Sequence, residues 1–302
     1  MTSLRRSRPV LAAIAVGFLV AGYGKAKSNA PSLITTDQLA DLITAKSVTI
    51  LDVRQAWTDY LSNHLPGAGW LHVETLRVSR DGLPFQLLPS EQYSVIFGRL
   101  GVEIGRPVVI YSAGSANDID ATFVAWLLEA FGHHSVYVLD GGYAKWELEG
   151  RPLTQKYPDA RSAGFPAQPF KPEVATLDDV RRAVSQKDAL IVDARPPEQY
   201  TGQAGAQPRR GHIPGAVNHP WKSDLETRDL ALVWKPVDAL REGYEGQGIT
   251  SDRSIIVYCN TGTEASHVFF ALRYLLGYSK VRIYTGSWSQ WSEREELPIE
   301  GQ

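Results

Sequence analysis

Cys259 is the only cysteine among 302 residues, and its setting could support nucleophilic chemistry. The preceding run Ser254-Ile255-Ile256-Val257-Tyr258 has the apolar, β-branched composition of a buried strand. Glu264 to Leu276 has the pattern of a helix, ended by Gly277 as a cap. Between them lies the short loop Cys259-Asn260-Thr261-Gly262-Thr263. A sulfur at the end of a strand, opening onto a helix N-terminus, faces unpaired backbone N–H groups and the positive end of the helix dipole. Both favour a thiolate, so this spacing predicts a thiol of lowered pKa. Gly262 lets the backbone curl, and the small side chains of Asn260, Thr261 and Thr263 leave room for a second sulfur or a small anion. The competing reading is a small buried side chain ending a strand, a common fate of cysteine.

Other cysteine chemistries fit less well. A cysteine phosphatase needs five residues and then an arginine that clamps phosphate with two hydrogen bonds. That position is Ala265, preceded by the acidic Glu264. A single cysteine excludes an intrachain disulfide and any multi-cysteine zinc or iron–sulfur site. With 31 basic and 33 acidic residues the net charge is −2, which argues against a nucleic-acid partner.

The elements that must carry the loop are written twice. Thr36-Asp37-Gln38-Leu39 opens a helical pattern leading into Ile50-Leu51-Asp52-Val53-Arg54. Thr176-Leu177-Asp178-Asp179 opens another, leading into Ile191-Val192-Asp193-Ala194-Arg195. His64-Leu65-Pro66-Gly67-Ala68 matches His212-Ile213-Pro214-Gly215-Ala216. Val108-Val109-Ile110-Tyr111-Ser112 matches Ile255-Ile256-Val257-Tyr258-Cys259, and Gly141-Gly142-Tyr143 with Trp146 matches Gly286-Ser287-Trp288 with Trp291. The offset stays between 140 and 148, so order is kept and duplication is implied. Strands alternating with helices predict an α/β fold: two tandem domains, each a central parallel sheet flanked by helices. The expected bounds are 31–153 and 173–302, joined by a proline-rich linker over 154–172. Ser112 stands where the second copy has Cys259, so the first domain is expected to be inactive.

Residues 1–30 read as an export signal: Arg5, Arg6 and Arg8, an apolar run from Pro9 to Ala21, and a cleavage site at Gly24-Lys25-Ala26. An uncleaved anchor is the competing reading, although the run is shorter than the roughly 20 residues a span requires. The expectation is a periplasmic protein with no membrane contact after cleavage, and a monomer.

These motifs, in order and in duplicate, resemble the tandem rhodanese domains of thiosulfate and 3-mercaptopyruvate sulfurtransferases over about residues 33 to 301. The resemblance implies a Cys259 persulfide that takes sulfur from a small donor, thiosulfate or 3-mercaptopyruvate. A thiol or cyanide acceptor then removes it. A carrier with little turnover of its own is the alternative. No metal or organic cofactor is implied. The residues expected at the substrate are Asn260, Thr261, Gly262, Thr263, Glu264 and Arg195. Arg195 follows a strand-end aspartate, as Arg54 does, and an arginine so placed can equally anchor a loop. His64 and His212 read as loop anchors, with His64 alternatively reaching Thr261 across the domains. His267, Trp288 and Trp291 read as packing. Two departures from the family pattern concern the donor. Glu264 replaces a threonine, and Gln199 falls where an arginine binds donor anions, a charge Arg209 or Arg210 could replace.

Overall fold

Threonine capping boxes open both halves of the chain. Thr35 accepts the Gln38 backbone N–H, and the Gln38 side chain accepts from Thr35 N–H, which starts α1 (Thr36–Thr44). Thr176 and Asp179 make the same reciprocal pair at α6 (Leu177–Gln186). The first cap is one residue earlier than the sequence suggested. Thr36 is itself helical and buried, its hydroxyl donating to the Glu149 carboxylate at 2.6 Å. The computed structural model describes residues 30–80, 83–115, 119–159, 162–166 and 173–301. The expected signal segment, except Ala30, lies outside the described residues, as do 160–161 and 167–172 of the expected linker.

The first half contains β1 (Ser32–Ile34), β2 (Thr49–Asp52), β3 (Ala68–Trp70), β4 (Arg77–Arg80), β5 (Leu83–Leu87), β6 (Val108–Tyr111) and β7 (Val136–Leu139). Besides α1, its helices are α2 (Trp57–Ser62), α3 (Ser90–Arg99), α4 (Asp120–Ala130) and α5 (Gly142–Leu148). The second half contains β8 (Leu190–Asp193), β9 (Val217–Asn218), β10 (Leu225–Arg228), β11 (Ala231–Trp234), β12 (Ile255–Tyr258) and β13 (Val281–Ile283). After α6 come α7 (Pro197–Tyr200), α8 (Val237–Glu245), α9 (Thr263–Phe270) and α10 (Ser287–Ser292).

The first sheet has the order β1-β7-β6-β2-β3 and is parallel throughout. The second runs β13-β12-β8-β9, also parallel, with Val174 bridging Ile283 where β1 stands in the first. The central strands β6 and β12 are buried along their whole length, as strands covered on both faces by crossover helices must be. Each half has an apolar cluster of its own, and a third, larger core is common to both. Val124 and Leu128 of α4 share one apolar cluster with Val268 of α9 and the following Leu272. The Thr122 and Ser266 hydroxyls meet across this seam at 3.1 Å.

Two antiparallel hairpins, β4/β5 and β10/β11, were not expected from the sequence. Their four- and five-residue strands carry charge at Arg77, Arg80, Glu226 and Arg228, which blurs any alternation. Each hairpin reaches over to the other half. Leu232 of β11 donates its N–H to the Gly114 carbonyl, and Trp234 N–H donates to the Asp140 carboxylate.

Candidate active site

The end of β12 carries Cys259 to the bottom of the loop, where the residue is 1% exposed. Its own N–H donates to the Ser287 hydroxyl at 3.2 Å, and its carbonyl accepts from Trp288 N–H. Gly262, at φ +95°, turns its N–H back onto the sulfur at 3.0 Å. The N–H groups of Thr261 and Ala265 also point to the thiol. A ring of backbone donors around one sulfur is what strand, loop and helix start were expected to build.

The electrostatics differ from expectation. Burial, seconded by the Glu264 carboxylate, pushes the Cys259 thiol up to about 11, although the three N–H groups pull the other way. The helix terminus alone therefore does not hold a resting thiolate. Glu264 is only partly exposed, and its charge lies close enough to act on the thiol. Burial first, then the nearby Asp193 carboxylate, raises Glu264 to about 7, against the pull of Arg195.

The other expected residues divide into loop and scaffold. The Asn260 amide donates to the Gln199 side chain at 2.8 Å, which ties the loop to α7. The Thr261 carbonyl and the Thr263 hydroxyl accept from one nitrogen of Arg77, at 3.2 and 2.8 Å. Arg195 must be corrected as a substrate contact. It is 1% exposed and paired with Asp193 at 2.6 Å, donates to the Gly211 carbonyl at 2.8 Å, and lies over the Trp288 ring. Arg54 makes the same set with Asp52 and the Asn63 carbonyl. Both arginines anchor the loops that begin their His-Pro-Gly turns.

His64 does not reach Thr261. It is fully buried, stacked on Tyr60 at 3.9 Å, with its nitrogens on the Tyr60 and Lys156 carbonyls. His212 repeats this on Tyr200. His267 stacks on Trp234, and burial holds it down to about 4. Arg209 donates to the Arg294 and Leu297 carbonyls, and Arg210 is exposed.

Arg77 was missed. It lies on β4, is stacked against Phe85 and Phe123, pairs with Glu74, and joins the first half to the Cys259 loop. Only the tertiary reach of an unexpected hairpin identifies it. In the first half the described residues at the corresponding place leave less room. Gly142 and Gly114 pack so tightly that a Cβ on Gly142 would come 2.6 Å from the Ser112 carbonyl. In the second half Ser287 fits at that place, and a Cβ on Gly262 would meet nothing nearer than 3.6 Å.

Comparison with known proteins agrees with this geometry. The Rhodanese-like domain model matches residues 35–149 and again 176–294. The 3-mercaptopyruvate sulfurtransferase of Escherichia coli is 33% identical over 88% of this chain and 97% of its own. The sulfur carrier protein TtuD of Thermus thermophilus is 33% identical over 88% of this chain and 95% of its own. The crystal structure of SseA, a 3-mercaptopyruvate sulfurtransferase from Escherichia coli, superposes with a TM-score of 0.73 at 31% identity, covering 85% of this chain and 98% of that one. The chain thus belongs to the rhodanese family, as a sulfurtransferase with two tandem domains.

Proposed function

We propose that this chain moves a sulfane sulfur from 3-mercaptopyruvate or thiosulfate to a thiol or cyanide acceptor by way of a persulfide on Cys259. The observation that carries this reading is the lone thiol under three converging N–H groups, with Gly262 nitrogen 3.0 Å from the sulfur. The Cys259 thiolate attacks the outer sulfur of the donor. A new S–S bond forms, and the bond from that sulfur to the rest of the donor breaks. Its electron pair leaves with sulfite or with the enolate of pyruvate. The N–H groups that face the sulfur stabilise charge on it in both half-reactions. Cyanide carbon then attacks the terminal sulfur, the S–S pair returns to Cys259, and thiocyanate departs.

Such a cycle is ping-pong. Initial rates over a grid of donor and cyanide concentrations should give parallel reciprocal plots; intersecting lines would contradict a free persulfide enzyme. A carrier role, in which the persulfide passes to a protein, is the second reading, favoured by the identity with a protein named as a sulfur carrier. It predicts stoichiometric sulfur loading with negligible turnover on cyanide. Export to the periplasm, supported by the basic start and apolar run at 9–21, and a monomeric state complete the proposal.

A further inference from the structure

The first sheet carries a second built feature, at the edge opposite Ser112. A cleft of about 380 Å³ opens there, lined by Thr49 at the start of β2 and by Gly67 just before β3. That volume lies within the roughly 300–1,000 Å³ usual for small-molecule sites. Lys46, Arg99, Arg106 and Lys156 also line it, against one acid, Asp159. Among the described residues none of these four cations is in an ion pair, whereas Lys145 and Arg151 of the same half are neutralised by Glu149 and Asp37. Arg106 is fixed in place. One of its terminal nitrogens donates to the Lys46 and Val48 carbonyls, at 2.8 and 3.0 Å, which hold the group without cancelling its charge.

The duplicated half shows what such a place accepts. There Glu300 bridges the His212 backbone, and its carboxylate accepts the Gly215 N–H at 3.0 Å. In the first half Thr154 makes the same bridge, to His64. Gly67 stands for Gly215, in the same left-handed conformation, with φ +81° against +74°. The Thr154 hydroxyl accepts from the Lys156 N–H at 3.0 Å, so this residue brings no carboxylate to the Gly67 turn. The cations change in step. Lys46 and Arg106 have counterparts in Lys187 and Arg253, but Gly246 falls opposite Arg99. The second half thus carries its own anion onto its Pro-Gly turn. The first half has lost that anion and gained positive charge beside the turn.

We propose that this cleft binds a small molecule bearing two or more carboxylate or phosphate groups, at a site separate from the Cys259 loop. One anionic group takes the place at Gly67 that the Glu300 carboxylate holds at Gly215. The remaining charge meets the cations of the wall, where charge-assisted hydrogen bonds are about twice as strong as neutral ones. Four cations against the single carboxylate of Asp159 favour a multiply charged ligand over a neutral one. Leu100 and Tyr157 provide apolar wall for its carbon skeleton. Binding there does not depend on sulfur transfer.

Titration calorimetry of the full chain with pyrophosphate and with citrate tests this, since the charged groups of one are phosphates and those of the other carboxylates. At least one probe should bind, more weakly as salt is raised, and the tighter of the two identifies the preferred group. Arg99 and Lys156 are exposed, so Arg99→Gln and Lys156→Gln should fold normally, and each should weaken binding roughly tenfold. Thr154→Glu should supply the missing carboxylate from within the chain and abolish binding. Cys259→Ser should bind as the wild type does. No binding of either probe overturns the proposal. Binding that is unchanged in both Arg99→Gln and Lys156→Gln overturns it too. So does binding that is lost in Cys259→Ser, which would place the anion at the sulfur loop.

Discussion

At the scale of residues, the site concentrates groups held away from their ordinary ionisation. Glu264 titrates near 7 in the fold against an ordinary 4.5. Between those values the native state binds more protons than the unfolded chain, so stability falls as pH rises through that window and stays reduced above it. The penalty amounts to as much as ~3 kcal/mol. Glu264→Gln should therefore melt higher than wild type at about pH 8 and almost equally at about pH 4, by calorimetry. An equal gain at both values would mean that ionisation is not the cause. Cys259 was legible because its scarcity, its strand and its glycine all pointed one way. The resting charge was not, because N–H groups are visible in the loop's position whereas burial and the nearness of the Glu264 charge are tertiary facts.

The unit at the scale of elements is β12, the loop and α9. Its shape depends on Gly262, whose φ of +95° is open to glycine and strained for any side chain. Space is not the constraint, since the nearest atom to a new Cβ would be 3.6 Å away. Gly262→Ala should thus fold, lose about 1–2 kcal/mol of stability, and swing the N–H off the sulfur. Chemical denaturation and sulfur-loading rates would register both losses, and a variant with unchanged loading would show that this N–H is dispensable. Ser287 presents a related case, holding φ +52° beneath the Cys259 N–H where the first half has Gly142 at +53°. The parallel strands were legible from their unbroken apolar runs. The hairpins were not, because their strands are short, charged and defined by what they cover.

For the whole molecule, duplication explains both the likeness and the asymmetry of the halves. Equivalent hairpins reach across, one to Gly114 and one to the Cys259 loop. The first half is thereby more than a relic, since it supplies Arg77. Arg77→Ala should slow sulfur loading roughly tenfold by freeing the loop, with Arg77→Lys recovering part of the loss. Undiminished loading in Arg77→Ala would confine that contact to the interface. The repeated motifs made the two-domain plan readable, while the shared core of α4 and α9 and the reach of Arg77 depend on how the copies meet, which no single motif encodes. The central claim is tested most directly by weighing the intact, reduced protein after exposure to 3-mercaptopyruvate or thiosulfate. The account predicts a gain of one sulfur atom, removed by cyanide and absent in Cys259→Ser. No gain with either donor, or an equal gain in Cys259→Ser, would contradict it.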